Sequence, residues 1–303
     1  MRIFENTNYS FVENRRTGYI ISGTLILLSI ISFFIHGLEL GIDFQGGMEF
    51  VVESTEPLSV TTLRSDLADV LDTTPEVKTF GPNQVLIRTL EGGDINQVQQ
   101  QIIRGIEASF PGSMPTVVKT DIVGPRFAED LKKGAIYSIF GSLLVIFVYI
   151  LIRFEWRFGL GAVAALFHDV IITLGVFSLL HGYLPFSLQI DQTLIAAFLT
   201  IVGYSLNDTV VVFDRMREYT NKFKTEAYDA VVNRSINSTL SRTIITSGTT
   251  LLVVITLFIL GGEVLRGFAF ALIVGIVVGT YSSIFVASPI VVELRARYDG
   301  RRK

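Results

Sequence analysis

The sequence predicts a polytopic α-helical membrane protein of six transmembrane helices, with an extracytoplasmic α+β domain between the first helix and the second. Half of its 303 residues are hydrophobic and only 17% are charged. The mean hydropathy of +0.52 is typical of membrane proteins and not of ordinary soluble domains. Six apolar runs are each long enough to cross a bilayer, and the stretch between the first two has the composition of a soluble domain.

Residues 1–37 are predicted to be a cytoplasmic N-terminus followed by the first transmembrane helix. The apolar run 18–37 follows Arg15 and Arg16 and has no small-residue cleavage site after a short apolar core. These features indicate an uncleaved signal anchor, and the two arginines favour a cytoplasmic N-terminus.

Residues 38–133 are predicted to form the extracytoplasmic domain with a ferredoxin-like βαββαβ fold. Their residue patterns follow the order strand, helix, strand, strand, helix, strand, which is the split βαβ arrangement. Asp94 is placed to cap the second helix. The predicted strands are 48–53, 76–80, 85–89 and 116–123, and the predicted helices are 58–71 and 94–110.

Residues 134–292 are predicted to be a five-helix transmembrane domain, and residues 293–303 a basic cytoplasmic tail. The loops 181–191 and 262–266 hold a single Lys or Arg between them, whereas the other loops and the tail are rich in both. This asymmetry places both termini in the cytoplasm and the 38–133 domain outside. The predicted spans are 134–152, 158–180, 192–217, 243–261 and 267–292.

The predicted cytoplasmic loop 214–242 joins the fourth span to the fifth. Within it, residues 226–240 carry apolar or small side chains at intervals that suit a helix lying on the membrane surface. A solvated connector explains the same pattern equally well, so both interpretations stay open.

Asp208 is the residue to which the sequence points most directly as a functional group. The fourth apolar run continues through residues 210–213, beyond Asn207 and Asp208, so the carboxylate lies inside the span. Burial at that depth costs roughly 2.5–3.5 kcal/mol, and the group should therefore face a bundle or hydrated cavity. We interpret Asp208 as an ion-translocation residue. The alternative is a structural carboxylate satisfied by Asn207, Tyr204 or Thr209.

Arg242 is the predicted partner of Asp208. It immediately precedes the fifth run, and consecutive spans run antiparallel, so the two residues are expected at similar depth. Arg242 is explained equally well as an anchor that reaches the lipid headgroups.

Three further polar residues join the candidate ion-translocation set. Tyr204 shares a helical face with Asp208, and Asn207 lies beside it. Asp169, next to His168 near the middle of the third run, belongs either to a proton relay or to a structural hydrogen bond between helices.

Three glycines are predicted to serve helix packing. Gly275 and Gly279 form a small-xxx-small pair in the sixth span, and Gly203 lies beside the polar face of the fourth.

Several function classes are not supported by the sequence. There is no cysteine, and the HExxH, GxSxG and Walker A patterns are absent. We therefore expect no enzyme activity, no catalytic residues, no metal and no cofactor. A net charge of -3 gives no reason to expect nucleic acid as a partner.

Motifs along nearly the whole chain resemble the SecF family of the bacterial Sec protein-export machinery. The resemblance covers residues 18–289. Its motifs are GIDFQGG after the first span, VGPRFAEDL before the second, FHDVIITLG in the third, TIVGYSLNDTVVVFDRMRE in the fourth and RTIITSGTTLL at the start of the fifth.

The resemblance implies a multi-pass protein of the bacterial cytoplasmic membrane, in the resistance-nodulation-division (RND) superfamily. It implies SecD as a paired subunit, with the SecYEG translocon, a preprotein and membrane lipid as further partners. YajC and YidC are additional candidate partners. The implied function is to use the proton or sodium motive force for late preprotein translocation. In the family the Asp and Arg that match Asp208 and Arg242 matter for ion flow. A non-conducting scaffold, or half of another RND-type exporter, remains as an alternative.

Overall fold

The computed structural model describes residues 7–71, 73–90, 93–184 and 186–300. These residues fall into two compact units. One contains Glu39–Ile136 and Leu180–Gln192, and the other contains the remaining described residues.

The first unit is built on a four-stranded antiparallel sheet with the strand order β2-β3-β1-β4. Its two longer helices and this order are those of a ferredoxin-like fold, so the predicted βαββαβ domain is confirmed. The elements are α2 (Ile42–Gln45), β1 (Gly47–Glu53), α3 (Val60–Leu71), β2 (Glu76–Gly81), β3 (Gln84–Thr89), α4 (Ile95–Ser109) and β4 (Thr116–Val123).

The core of this unit lies between the helices and one face of the sheet. Alternate residues of β1, Met48, Phe50 and Val52, are buried against α3 and α4, as the period-2 pattern requires. The Asp94 side chain accepts a hydrogen bond from the Asn96 backbone N–H at 2.9 Å and so caps α4. A Cβ at Gly105 would lie 2.8 Å from Leu67, so the glycine lets the two helices approach closely.

The opposite face of the sheet carries a buried cluster of charges around Arg88. Its guanidinium is bonded to Glu49 and Glu76, each at 2.9 Å, and to the Leu40 carbonyl at 3.2 Å. Gln189 also accepts from it, and Leu40 bridges to Ile190. The segment 181–191, predicted as a loop between spans, therefore belongs to the sheet unit, which includes Leu180–Gln192.

The second unit contains the long apolar helices. Six helices are long and apolar enough to cross a membrane, which confirms the predicted polytopic fold class among the described residues. They are α1 (Arg15–Ile35), α5 (Pro125–Arg153), α6 (Trp156–Leu180), α7 (Gln192–Lys222), α8 (Tyr228–Leu260), and a last one in which α9 (Gly262–Ser282) continues through a π-helical segment (Ser283–Ala287) into α10 (Ser288–Gly300).

Three predicted boundaries differ from the structure. The helix of the second span begins at Pro125, before residue 134. Residues 228–240 form neither a separate surface helix nor a connector, because they are the first turns of α8. The predicted tail 293–303 continues the last helix as far as Gly300; residues 301–303 lie outside the described part, as do residues 1–6 of the predicted N-terminus.

The segment before α1 packs against the first turns of α8. Asn237 accepts a hydrogen bond from the Tyr9 backbone N–H and donates one to the Tyr9 carbonyl, both at 2.9 Å. Asn233 accepts from the Phe11 N–H at 2.8 Å, and Val12 is buried in the core of the helical unit. The two ends of a chain with an even number of spans lie on the same face of the bundle. We call that face, where the segment before α1 meets the first turns of α8, the terminus face.

We expect Gly47→Ala to destabilise the sheet unit by about 1–3 kcal/mol, the usual cost of a residue held in a sparsely populated backbone conformation. Gly47 has φ +121° and its Cβ would lie 2.6 Å from the Thr89 carbonyl oxygen. Pulse proteolysis of the full-length protein in urea measures the loss. Gly124→Ala is the matched control, because a Cβ there meets no described atom within 4 Å. Equal stability of the two variants would contradict this account of the glycine.

Candidate functional site

The packing of α9 on α7 brings the polar residues of the membrane helices together. A Cβ at Gly275 would lie 2.4 Å from Ile201, and one at Gly279 would lie 2.9 Å from the Ser205 Cβ. Two glycines one turn apart thus let the two helix backbones approach closely. Gly203 differs, because a Cβ there meets no described atom within 4 Å, and it has no packing role within the described chain.

Asp208 lies on the buried face of α7 and is 3% exposed. The Ser247 hydroxyl of α8 donates to its Oδ2 at 3.3 Å, and the same hydroxyl is 2.7 Å from Thr280 Oγ1 of α9. The carboxylate is therefore the end of a short hydroxyl chain that joins three helices. Its single described side-chain hydrogen bond is long, so it retains free accepting capacity.

The predicted ion pair between Asp208 and Arg242 is not formed in this structure. Arg242 is exposed, and no described carboxylate lies within ion-pairing distance of it. Arg242 lies near the same end of the bundle as Asp208, as the antiparallel spans predicted. However, α8 is rotated about its axis so that Ser247, and not Arg242, faces Asp208.

A polar cavity of about 800 Å³ lies on the terminus face beside this site. Asn207 and Arg242 both contribute to its wall, together with Thr239, Asp214 and Glu218. Asn207 is the chain neighbour of Asp208, which is buried and does not itself line the cavity. Arg242 therefore belongs to the candidate site because it lines this cavity, and not because it forms an ion pair with Asp208.

Tyr204 has a buried hydroxyl oxygen with no hydrogen-bond partner among the described residues. It precedes Asp208 by one turn of α7. An unsatisfied hydroxyl inside a membrane bundle is costly, so this position is suited to a water molecule or ion that the protein itself does not supply.

Asp169 occupies a second and more fully bonded site in the middle of α6. Its Oδ2 accepts from Ser205 at 2.5 Å and from Ser282 at 2.8 Å, and its Oδ1 lies 2.9 Å from His168 Nδ1. The residue is 1% exposed. Donors from three helices converge on one carboxylate, which fixes its position.

The network around Asp169 extends to the first span. His168 Nε2 is 3.1 Å from Ser22 Oγ, Ser22 is 3.1 Å from the Tyr281 hydroxyl, and Tyr281 donates to the Gly18 carbonyl at 2.8 Å. The sequence singled out His168 and Asp169 but missed Ser22, Tyr281, Ser205 and Ser282; the only signal was a hydroxyl residue inside an apolar run.

Asp169 and Asp208 are thus carboxylates buried among hydroxyl groups in a multi-pass helical bundle, a pattern that marks candidate functional sites in membrane proteins. Two family models match the chain. Residues 107–297 match the C-terminal region of the SecD/SecF protein export membrane proteins, and residues 31–57 match the SecD/SecF GG motif. The glycine pair Gly46-Gly47, with φ angles of +77° and +121°, lies inside the second match.

Known relatives match along the whole chain. The protein translocase subunit SecF of Rhodothermus marinus is 70% identical over 303 residues, which is 100% of this chain and 98% of that protein. The SecF subunit of Desulfurispirillum indicum is 43% identical, over 95% of this chain and 92% of that one. The chain therefore belongs to the SecF family of protein translocase subunits.

Solved structures agree with this assignment. A crystal structure of SecDF, a translocon-associated membrane protein from Thermus thermophilus, has a TM-score of 0.86 and 36% identity over 96% of this chain. A structure of SecDF in a super-membrane-facing form has a TM-score of 0.73 and 35% identity over 99% of this chain. This chain spans only 39% and 40% of those two SecDF chains.

We expect Gly275→Ala to separate α9 from α7 and to lower stability by about 1–3 kcal/mol, the usual cost of overpacking. The added methyl would overlap Ile201, whose side-chain atoms lie 2.4–2.7 Å from the Cβ position. The midpoint of thermal unfolding in detergent measures the effect. Gly248→Ala, which meets no described atom within 4 Å, should be unchanged. A Gly275→Ala protein as stable as wild type would show that this helix contact is not close.

Proposed function

We propose that this chain is an accessory subunit of the Sec protein-export translocase that, together with SecD, uses the proton or sodium motive force to promote late preprotein translocation. The observation that carries the proposal is Asp208, a carboxylate 3% exposed inside a membrane-spanning helix with one long hydrogen bond from Ser247. The relatives named as SecF subunits support the export role.

The surroundings of Asp208 suit a site that exchanges a proton or a small cation. A hydroxyl chain reaches it from α8 and α9, and its chain neighbour Asn207 lines the polar cavity on the terminus face. The unpartnered Tyr204 hydroxyl lies one turn away on the same helix. Oxygen ligands and neighbouring water access are what binding and release of such an ion require.

Arg242 is proposed to act as the movable charge of the site. A guanidinium that approaches a carboxylate competes with a bound proton or cation for the negative charge. Here Arg242 stands in the wall of the polar cavity, unpaired with any described carboxylate. A change in helix packing that brings it to Asp208 would release the ion, and its withdrawal would allow reloading.

The uncovered surface of α7 and α8 supports a membrane partner, which we propose is SecD. Asn207 and Gly203 of α7 are exposed, as are the hydroxyl residues Thr249 and Thr256 of α8. Polar groups and small residues inside the membrane favour contact with another helix over contact with lipid. This chain spans 39% and 40% of the two SecDF chains. The rest of those chains agrees with a separate SecD partner for this one. SecYEG, a preprotein, YajC and YidC are proposed as the further partners.

The charge distribution supports the proposed orientation in the bacterial cytoplasmic membrane. Arg15, Arg153, Arg157, Arg215 and Arg217 all lie at helix ends on the terminus face. Under the positive-inside rule that face is cytoplasmic, and the sheet unit is outside.

Asp208→Asn should insert and fold normally but lose the dependence of export on the ion gradient. An amide is cheaper than a carboxylate in the bilayer, yet it cannot take up and release a proton. Preprotein translocation into inverted membrane vesicles, with and without an imposed proton or sodium gradient, measures this dependence. Arg242→Ala should show the same loss, and Arg242→Lys a partial one, since lysine keeps the charge without the planar fork.

Asp229→Asn is the matched control for Asp208→Asn. It removes the same charge from another helix of the same unit, but Asp229 is exposed and paired with Arg15 at 3.4 Å. It should retain gradient-dependent export. If Asp208→Asn retains full gradient dependence as well, the ion-coupling role is wrong, and a non-conducting scaffold becomes the better description.

A tag placed in the sheet unit should be reached by protease added to intact spheroplasts, and a tag after residue 300 should not. The reason is the arginine asymmetry of the helix ends. The C-terminal tag should become accessible once the membrane is permeabilised, which controls for a tag hidden by folding. Cleavage of the C-terminal tag in intact spheroplasts would reverse the proposed orientation.

A further inference from the structure

A second cavity on the terminus face, of about 470 Å³, has three arginines among its nine lining residues. Arg153 comes from the end of α5, Arg217 from the last turns of α7 and Arg295 from α10. Glu155 is the one carboxylate in the described wall. Three guanidinium groups from three different helices thus face a common space with a single acid among them.

The arginines are held in place by other contacts. Arg217 donates to the Arg153 carbonyl at 3.2 Å and forms no ion pair with any residue that the structure describes. Arg295 lies over the Tyr228 ring at 4.0 Å, and Arg153 is bonded to Asp214 at 3.0 Å. Glu155 is itself 3.5 Å from Arg157, a further cation next to the cavity. The space therefore keeps an excess of positive charge.

The cavity lies where the membrane surface is expected. Ile152, which lines it, is 83% exposed, and it continues the exposed apolar surface of α5 formed by Val148 and Tyr149. Trp156, at the start of α6, is 48% exposed and Tyr298 is 40% exposed. Exposed aromatic side chains mark the level of the lipid headgroups. An apolar surface thus leads directly into an arginine-lined space.

We propose that this cavity binds the phosphate headgroup of an anionic phospholipid, with the acyl chains along Ile152 and the exposed face of α5. Guanidinium groups match the geometry of phosphate oxygens and can bind them in pairs. Basic pockets between membrane helices on the cytoplasmic side are suited to such headgroups. The apolar rim favours a lipid over a free phosphate, which would gain nothing from it. Arg153 and Arg217 also line the polar cavity beside Asp208, so the two cavities adjoin. Binding of a lipid headgroup goes beyond the proposed export function.

The single tryptophan of the chain gives a direct test, since Trp156 is the chain neighbour of Glu155, which lines the cavity. The full-length protein is reconstituted in mixed vesicles, and its fluorescence is quenched with phosphatidylglycerol or phosphatidylcholine brominated near the top of the acyl chains. Wild type should prefer phosphatidylglycerol. Arg217→Gln and Arg295→Gln should each reduce that preference about fivefold, the effect of one cation at an anionic surface.

Two controls separate this site from general surface charge and from misfolding. Arg234→Gln removes an exposed arginine on the same face, paired with Glu226 at 3.0 Å, and should leave the preference unchanged. Arg217→Lys keeps the charge and should retain most of it. Equal quenching of wild type by the two lipids, an unchanged preference in Arg217→Gln, or the same loss in Arg234→Gln would overturn the proposal. Relief of quenching by millimolar glycerol phosphate would show that free phosphate, not lipid, is the ligand.

Discussion

The membrane bundle depends on the absence of water from the bilayer core, where a polar side chain without a partner is costly. Asp169 meets this demand most fully, since His168 and the hydroxyls of Ser205 and Ser282 all bond to it. Through Ser22 the same network reaches α1. Four spans are therefore fixed relative to one another by a single carboxylate and the groups that satisfy it.

The same demand separates the roles of the two buried carboxylates. Asp169 is saturated by short contacts, and moving it would leave several donors without partners, which is expensive inside a membrane. Asp208 has one long contact from Ser247 and stands next to a polar cavity. Losing that one contact costs little, so Asp208 can change partners while Asp169 holds the helices. This difference supports assigning the moving ion to Asp208 and a structural role to Asp169.

The helices and the ferredoxin-like domain could be predicted because periodicity and run length report local burial. The contact partners of individual side chains could not be predicted, because a sequence pattern does not say which distant residue packs against a given position. Arg88 occupies a β3 position that points away from the core of the sheet unit. Nothing near it in sequence predicts that Gln189, from a distant loop, accepts a hydrogen bond from it. Arg242 shows a second limit. The antiparallel order of the spans predicted its depth in the membrane. It did not predict the rotation of α8 about its axis, which brings Ser247 to Asp208.

The π-helical segment Ser283–Ala287 shows how a local covalent constraint enters this arrangement. Pro289 has no N–H for the carbonyl of Phe285, and its ring would clash with that carbonyl in a regular helix. The preceding turn widens, and the Ser288 hydroxyl donates to the Ser283 carbonyl at 2.8 Å. An inserted residue rotates the helix after it relative to the helix before it. The widened turn therefore lets α9 keep Ser282 on Asp169 while α10 continues at a different rotation about the helix axis.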